Sequence, residues 1–244
     1  RRFSPVLMLL AVLGFAFDNT QRTEAGFVEQ LIITGVMDGP LSGGLPKALE
    51  LYAVTNIPSL DIFGLESANN GDPQNAQEYT FPSVSLNAGD FYYVTTDATA
   101  FQNWFGFAAG DVDGVVNVNG DDVILLYRSG SVVDSFGVLG TDGTGEPWEH
   151  LDGWAYRSDG NNAPAGISFA AANWRFSGVD ALDGQGTAGS TNADAFPSFP
   201  VGTYQETDVA PTVVDVSPED TATGVTAGAN INIMFNEDVT VTNA

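Results

Sequence analysis

The only histidine of the chain, His150, lies among carboxylates in the stretch DGTGEPWEHLDGWAYRSDG, residues 142–160. Three acidic side chains lie within four positions of it: Glu146, Glu149 and Asp152. A histidine beside a carboxylate can serve as a general base, because the carboxylate orients the ring and stabilises its charged form. His150 is therefore the first residue at which catalysis has to be considered.

A catalytic histidine needs further groups that this sequence does not supply. The chain has no cysteine and no second histidine, which excludes a Cys/His site. A Ser-His-Asp arrangement would need a nucleophile elbow of the G-x-S-x-G kind, and no such motif occurs. We predict no catalytic residue, and we interpret His150 as a polar loop residue, hydrogen-bonded beside Trp148 and Trp154, which cover one end of the fold.

Oxygen ligands for calcium give a stronger chemical signal. The stretch DVDGVVNVNGDD carries six carboxylate and amide side chains: Asp111, Asp113, Asn117, Asn119, Asp121 and Asp122. Calcium is bound by six to eight oxygens of this kind, but the spacing departs from the EF-hand loop. Two interpretations stay open, a Ca²⁺ site or a hydrated sheet edge with a hairpin turn.

The sequence is strongly acidic, with 31 Asp and Glu against 7 Lys and Arg and a net charge of −24. Affinity for nucleic acid depends on basic side chains that neutralise phosphates, so we predict no direct binding of DNA or RNA. The acidic side chains could bind Ca²⁺ that ties down turns in place of disulfides, or they could keep an exported protein soluble. Both explanations remain open.

Residues 1–25 have the outline of a secretion signal. Two arginines precede an apolar run over residues 5–17, and Ala16 and Ala25 offer cleavage points. The run is shorter than the roughly 20 residues needed to cross a bilayer, so we favour a cleaved leader over a permanent membrane span. The sequence thus predicts a secreted, extracellular or cell-surface protein.

From residue 26 onward the apolar runs are short, β-branched and separated by turns, a pattern typical of strands. Turns every eight to twelve residues, with no repeated strand-helix alternation, predict an all-β sandwich. Asn119-Gly120 predicts a hairpin between strands at residues 116–118 and 123–127. A second turn at Ser129-Gly130 would extend this hairpin into a three-stranded meander.

Two further local patterns can be tested against a structure. Phe101, Trp104 and Phe105 have helical spacing and predict at most one short helix. Lys47 begins a strand with Leu49 and Leu51 on one face and Glu50 on the other, and we expect a partly exposed lysine that discourages edge pairing. Residues 161–205 read as loops that wrap back on the sandwich, anchored by five aromatic side chains: Trp174, Phe176, Phe196, Phe199 and Tyr204.

A second domain is predicted to begin after a linker at residues 206–210. Residues 211–244 start with a proline, alternate through Val214 and Val216, and resume the alternation at Ile231 and Ile233. A sandwich of this kind typically needs about 100 residues. We therefore expect residues 211–244 to be the first strands of a domain that continues beyond Ala244.

Several stretches of residues 26–160 share a family pattern: GLPKALELY, SLDIFGL, LNAGDFYYV, VNGDDVILLYRSGSVVDSFG and EPWEHLDGWAYR. The later ANWRFSGVDALDG and FPVGTY extend the pattern to residue 205. Together they resemble the lamin-tail-like (LTD) domains of secreted bacterial proteins. The resemblance implies an immunoglobulin-like β-sandwich over residues 26–205.

The segment APTVVDVSPEDTATGVTAGANINIMFNEDVTV resembles the opening of the bacterial Ig-like domains of surface-layer and other exported proteins. In such proteins these two modules often precede a phosphoesterase domain. The resemblance thus implies a non-catalytic N-terminal module that binds or positions downstream domains of the same chain, which would be a secreted nuclease or phosphatase. The alternative is a cell-surface structural or adhesive protein that self-associates, or binds surface or matrix components, in a fibre or layer stabilised by Ca²⁺.

Overall fold

The computed structural model describes residues 30–72, 76–161, 169–187, 189–206, 213–218, 222–226, 228 and 232–235. The predicted leader at residues 1–25 lies outside these ranges. Ten strands build the larger unit: β1 (Leu31–Met37), β2 (Ala48–Ala53), β3 (Phe63–Ala68), β4 (Tyr79–Thr80), β5 (Phe91–Thr95), β6 (Asp111–Val112), β7 (Val123–Arg128), β8 (Ser131–Phe136), β9 (Trp154–Arg157) and β10 (Trp174–Phe176).

The ten strands form two sheets. The first has the order β10-β9-β1-β2-β5-β6 and is antiparallel except for the last pair, β5 with β6. The second has the order β4-β3-β7-β8 and is antiparallel throughout. The predicted all-β, two-sheet sandwich is therefore confirmed.

One apolar core is shared by the two sheets. Along β2 the alternation places Leu49 and Leu51 in this core, as the sequence predicts, together with Leu65 and Leu126 of the second sheet. All four side chains are fully buried. Apolar burial of this kind contributes the main stabilising free energy of a fold, about 1.5–3 kcal/mol for each large side chain.

A second apolar cluster covers the opposite face of the six-stranded sheet. It packs Ile32 of β1 and Tyr156 of β9 against the helix and against a late loop that carries Phe199 and Tyr204. Because this sheet is buried on both faces, β1 has the nearly continuous apolar sequence LIITGVM and not a strict alternation.

The single α-helix within the described ranges is α1 (Ala98–Phe105), where the aromatic spacing predicts it. The side chain of Asp97 caps its start by accepting a hydrogen bond from the Ala100 N–H at 2.8 Å. Gly106 ends it in the left-handed conformation, with φ of 82°. Phe101 and Trp104 point into the second cluster, which confirms the predicted apolar face. Short 3₁₀ turns occupy Leu60–Ile62, Asn69–Gly71, Gly114–Val116, Ala171–Asn173 and Asn192–Asp194.

Of the two predicted hairpin turns, one is confirmed and one is wrong. Ser129 and Gly130, with φ of 50° and 82°, join β7 to β8 as a tight hairpin. Asn119-Gly120 does not join two strands, because residues 114–116 form a 3₁₀ turn capped by the Asp113 side chain. The neighbours of β7 are β3 and β8, so the predicted three-stranded meander is also wrong.

A buried ion pair joins the two sheets at an irregular point of β1. Thr34 has no partner in the pairing of β1 with β2, which marks a β-bulge. Next to it, Asp134 of β8 accepts hydrogen bonds from the Ile33 N–H at 2.8 Å and from Arg157 Nη2 at 2.6 Å. Arg157 Nε donates to the Ile33 carbonyl at 2.6 Å, and the guanidinium lies over the ring of Trp174. The Asp134 and Arg157 side chains thus supply hydrogen-bond partners for the N–H and carbonyl of Ile33, beside the point where regular strand pairing is interrupted.

A second polar contact joins the sheets elsewhere. The Tyr79 hydroxyl of β4 donates to Asp111 of β6, so the outer strand of one sheet is bonded to the outer strand of the other. Asp134 and Tyr79 lie on opposite edge strands of the four-stranded sheet. Both of its edges are therefore held to the six-stranded sheet by hydrogen bonds as well as by the core.

The region predicted to begin a second domain contains β11 (Val213–Ser217) and β12 (Asn232–Phe235), which pair antiparallel. Most of the predicted linker, residues 207–210, lies outside the described ranges. No helix in the described part of the chain is long and apolar enough to span a bilayer.

Replacing Asp134 by Ala should destabilise the protein by about 3–5 kcal/mol, because Arg157 would be left buried without its counter-charge. Urea unfolding followed by tryptophan fluorescence measures this loss. Ser131→Ala is the matched control, since Ser131 is exposed on the same strand and its removal should cost less than about 0.5 kcal/mol. Equal stability of the two variants would contradict the role given to the ion pair.

Candidate functional site

The candidate site lies where three loops meet, residues 38–47, 117–122 and 142–153. His150 is fully buried there, and its ring packs edge-to-face with Phe136. Its backbone N–H donates to the Gly120 carbonyl at 2.8 Å. Its Nδ1 lies 3.3 Å from the carbonyl oxygen of Trp148. Because a carbonyl can only accept, Nδ1 carries the proton and Nε2 is the unprotonated nitrogen. Nε2 has no hydrogen-bond partner among the described residues.

Burial lowers the pKa of His150 to about 4, and the nearby charge of Lys47 acts in the same direction. The ring is therefore neutral at neutral pH. Of the three carboxylates near His150 in sequence, that of Glu149 accepts a hydrogen bond from the Gly145 N–H at 2.7 Å.

The histidine packs against Phe136 beside Trp148, so Trp148 covers this end of the core as predicted. Trp154 lies instead on β9 in the second apolar cluster, against Phe199, so its predicted role in covering the same end is wrong.

Lys47 is buried, so the predicted exposed edge lysine is wrong. Its Nζ lies 2.7 Å from Asp38 Oδ1 and donates to the Val118 carbonyl at 2.5 Å. Asp38 also accepts a hydrogen bond from the Asp152 N–H at 3.3 Å. Burial raises the pKa of Asp38, and the Lys47 ammonium opposes that rise. The ion pair thus binds all three loops together.

A glycine makes this burial possible. The backbone turns between β1 and β2 so that Gly44, with φ of 71°, lies directly over the ion pair. A Cβ at this position would lie 2.3 Å from Asp38 Oδ1 and 2.6 Å from Lys47 Nζ. Only glycine combines the left-handed conformation with the required space.

Three of the six predicted calcium ligands meet at the same end of the sandwich. Asp122 accepts hydrogen bonds from the backbone N–H groups of Asn70 and Asn119 at 2.8 and 3.1 Å. Asp121 accepts from the Thr144 hydroxyl at 3.0 Å. The side-chain amide of Asn119 faces both carboxylates; oriented with its nitrogen toward them, it would donate to Asp122 at 2.6 Å and to Asp121 at 2.8 Å. Burial raises the pKa of Asp122.

The other three predicted ligands have separate roles. Asp111 is bonded by Tyr79, Asp113 caps the 3₁₀ turn by accepting from the Val115 N–H at 2.8 Å, and Asn117 is exposed. No group of three or more His, Cys, Asp or Glu among the described residues is arranged to hold a metal ion. The calcium site therefore stays a prediction. Of its six predicted ligands, only Asn119, Asp121 and Asp122 meet at one end of the sandwich.

A buried carboxylate on the outer face of the six-stranded sheet has a role that sequence reasoning missed. Glu50 accepts hydrogen bonds from the Thr34 and Tyr156 hydroxyls at 2.8 and 2.7 Å and from the Gly202 N–H at 2.7 Å. The Tyr156 oxygen in turn accepts from the Tyr204 N–H at 2.8 Å. Burial raises the pKa of Glu50, while these donors stabilise its charged form. The alternation along β2 shows which face Glu50 occupies, but not that a loop 152 residues later covers it.

The predicted aromatic anchors of residues 161–205 fall into two groups. Trp174, Phe199 and Tyr204 are buried and anchor the late loops as expected, and Phe176 is half-buried. Phe196 is 84% exposed, so its predicted anchoring role is wrong. Phe199, three residues after Phe196, packs instead against the rings of Trp154 and Tyr156.

Comparison with known proteins gives no match to this chain among protein-family models, curated proteins or solved structures.

Acid should destabilise the protein through His150. Its folded pKa of about 4 lies below the ordinary 6.5, so the unfolded chain binds the proton more tightly. The free energy of unfolding is therefore unaffected by His150 titration above pH 6.5, and it decreases as the pH falls from 6.5 toward 4. Over this interval the wild type should lose on the order of 3 kcal/mol relative to His150→Gln, which cannot titrate.

Urea unfolding at several pH values, with both proteins measured at each, isolates this contribution from that of the buried carboxylates. Asp38, Glu50 and Asp134 have raised folded pKa values and so change stability in the opposite direction in both proteins. If the two pH profiles run parallel, the ring is not buried as a neutral group.

Proposed function

We propose that this chain provides a non-catalytic binding and positioning module of an exported, modular bacterial protein, with residues 26–205 as a lamin-tail-like, immunoglobulin-like sandwich. One observation carries the proposal. The ionisable groups in the interior hold the scaffold together: Asp134 and Arg157 join the sheets, while Lys47 and Glu50 hold loops in place. A scaffold with loops fixed in this way can present surfaces to partners at little entropic cost.

The distribution of charge supports a partner that is not a polyanion. Beyond residue 25 the chain has four basic residues, since three of its 7 Lys and Arg precede that point. Two of the four, Lys47 and Arg157, are buried in ion pairs. The surface is thus more uniformly acidic than the composition alone implies, and it repels nucleic acids and other anions.

Downstream domains of the same chain are the first partners that we propose. By the resemblance, the segment that contains β11 and β12 opens a bacterial Ig-like domain, and a secreted nuclease or phosphatase would follow it. In that arrangement the enzymatic activity belongs to the downstream domain, and the sandwich positions it outside the cell.

The exported chain, residues 26–244, should show no turnover of DNA or p-nitrophenyl phosphate above a buffer blank. His150→Gln is the control, because it removes the only histidine. Turnover by the wild type that this variant abolishes would refute the non-catalytic assignment. In the natural full-length protein, deletion of residues 30–206 should leave kcat unchanged and reduce retention at the cell surface.

The alternative is a structural or adhesive surface protein stabilised by Ca²⁺. It is favoured by one observation, the convergence of Asn119, Asp121 and Asp122, since the Asn119 amide could turn its oxygen toward a bound cation.

Calcium titration separates the two proposals. On the structural alternative, millimolar Ca²⁺ raises the melting temperature and the light scattering of the wild type, and Asp121→Asn abolishes both effects. Asp61→Asn is the matched control, because Asp61 is an exposed carboxylate on a different loop. On the positioning proposal, Ca²⁺ does not increase the scattering of the wild type.

A further inference from the structure

Phe196 is an exposed aromatic side chain on a well-fixed loop. It is 84% exposed, whereas the other exposed large apolar side chains of the described residues range from 38% to 50%. Single exposed apolar residues are common on protein surfaces, so exposure alone does not indicate function. The backbone around Phe196 supplies the second observation.

Both backbone groups of Phe196 are bonded to one side chain. Its N–H donates to Gln185 Oε1 at 2.7 Å, and Gln185 Nε2 donates to its carbonyl at 2.7 Å. On the following residue, the Pro197 carbonyl accepts from Trp154 Nε1 at 2.9 Å. Trp154 is itself buried, so the loop is fixed to the core immediately after the exposed ring.

A second amide clamp fixes the next turn. Asn192 bonds both the N–H and the carbonyl of Phe199, at 2.9 and 2.8 Å, and Phe199 is buried. Thr191 and Asp194 form a reciprocal capping box on the other side of Phe196. The loop therefore holds the backbone of Phe196 in place while its ring stays in solvent, so a partner that binds the ring would not have to order the loop as well.

The charge around this loop decides what kind of partner can approach. Residues 177–206 contain four acidic residues and no Lys or Arg: Asp180, Asp183, Asp194 and Glu206. The first three are exposed. Residues 211–244 also contain no Lys or Arg. The next segment of the chain and a second copy of the chain both carry an excess of acidic residues, so either would meet this loop with like charge.

We propose that Phe196 is the anchor of a docking surface for a separate protein that presents apolar side chains flanked by Lys or Arg. The inference rests on the proposed binding role and adds this partner to the downstream domains of the same chain. The aromatic ring packs among the apolar side chains, and the basic side chains pair with Asp183 and Asp194, which are exposed. Affinity comes from burial of the ring, while the basic side chains give specificity and a dependence on salt.

The test uses the exported chain and an immobilised array of synthetic peptides in which Leu, Ile and Val are flanked by Lys and Arg. Control peptides replace the basic residues by Glu, or the apolar residues by Ser. Binding to the basic, apolar peptides should weaken about tenfold or more in Phe196→Ser. It should persist in Val112→Ser, a control that removes another exposed apolar side chain, 49% exposed, on β6. Because Phe196 is in solvent, its variant should keep the wild-type melting temperature.

Three outcomes would overturn the proposal: no binding of any basic, apolar peptide, binding that Phe196→Ser leaves unchanged, or equal binding of the Glu-containing controls. Adsorption to phosphatidylcholine vesicles that requires Phe196, without peptide binding, would assign the residue to a lipid surface instead and also overturn it. Each result leaves the turnover assay unaffected, so a failure here is distinguishable from a failure of the non-catalytic proposal.

Discussion

The contact of Asp134 and Arg157 with the backbone of Ile33 is the constraint on which the sandwich depends. The bulge at Thr34 shifts the register of β1, and β9 ends at Arg157. Without substitutes, a buried N–H and a buried carbonyl would lack partners, at a cost of about 1–3 kcal/mol each. A carboxylate from one sheet and a guanidinium from the other supply them. The irregularity in β1 is therefore a point at which a hydrogen-bonded ion pair links the two sheets.

The same principle, a buried charge that bonds backbone groups of distant segments, recurs at the loop end and on the outer face of the six-stranded sheet. Lys47 binds the carbonyl of Val118, and Glu50 binds the N–H of Gly202. Breaking such contacts is costly because the remaining charge stays in a medium of low polarity. In a chain without cysteine, these contacts limit loop motion where disulfides do so in many exported domains.

The sequence predicts correctly those features of the fold that depend on a local residue pattern. Alternation along β2, the helical spacing of Phe101 and Trp104, and the turn at Ser129-Gly130 all agree with the structure, since each depends on neighbours within a few residues. The errors at Lys47 and Asn119-Gly120 have the opposite origin. The Lys47 ammonium binds a carbonyl 71 positions away. The Gly120 carbonyl accepts a hydrogen bond from the backbone N–H of His150 on a later loop, and not from a paired strand. No periodicity records such pairings, and the partial meeting of the predicted calcium ligands has the same cause.

Lys47 is the only lysine of the chain, and it is 7% exposed within an ion pair. In the folded state, a lysine-specific protease finds no accessible cleavage point in the described part of the chain, and amine-reactive labels find no reactive side chain there. Cleavage after Lys47 requires the hairpin between β1 and β2 to open. The rate of digestion at this one bond thus reports how often the loop end comes apart, before the rest of the sandwich unfolds.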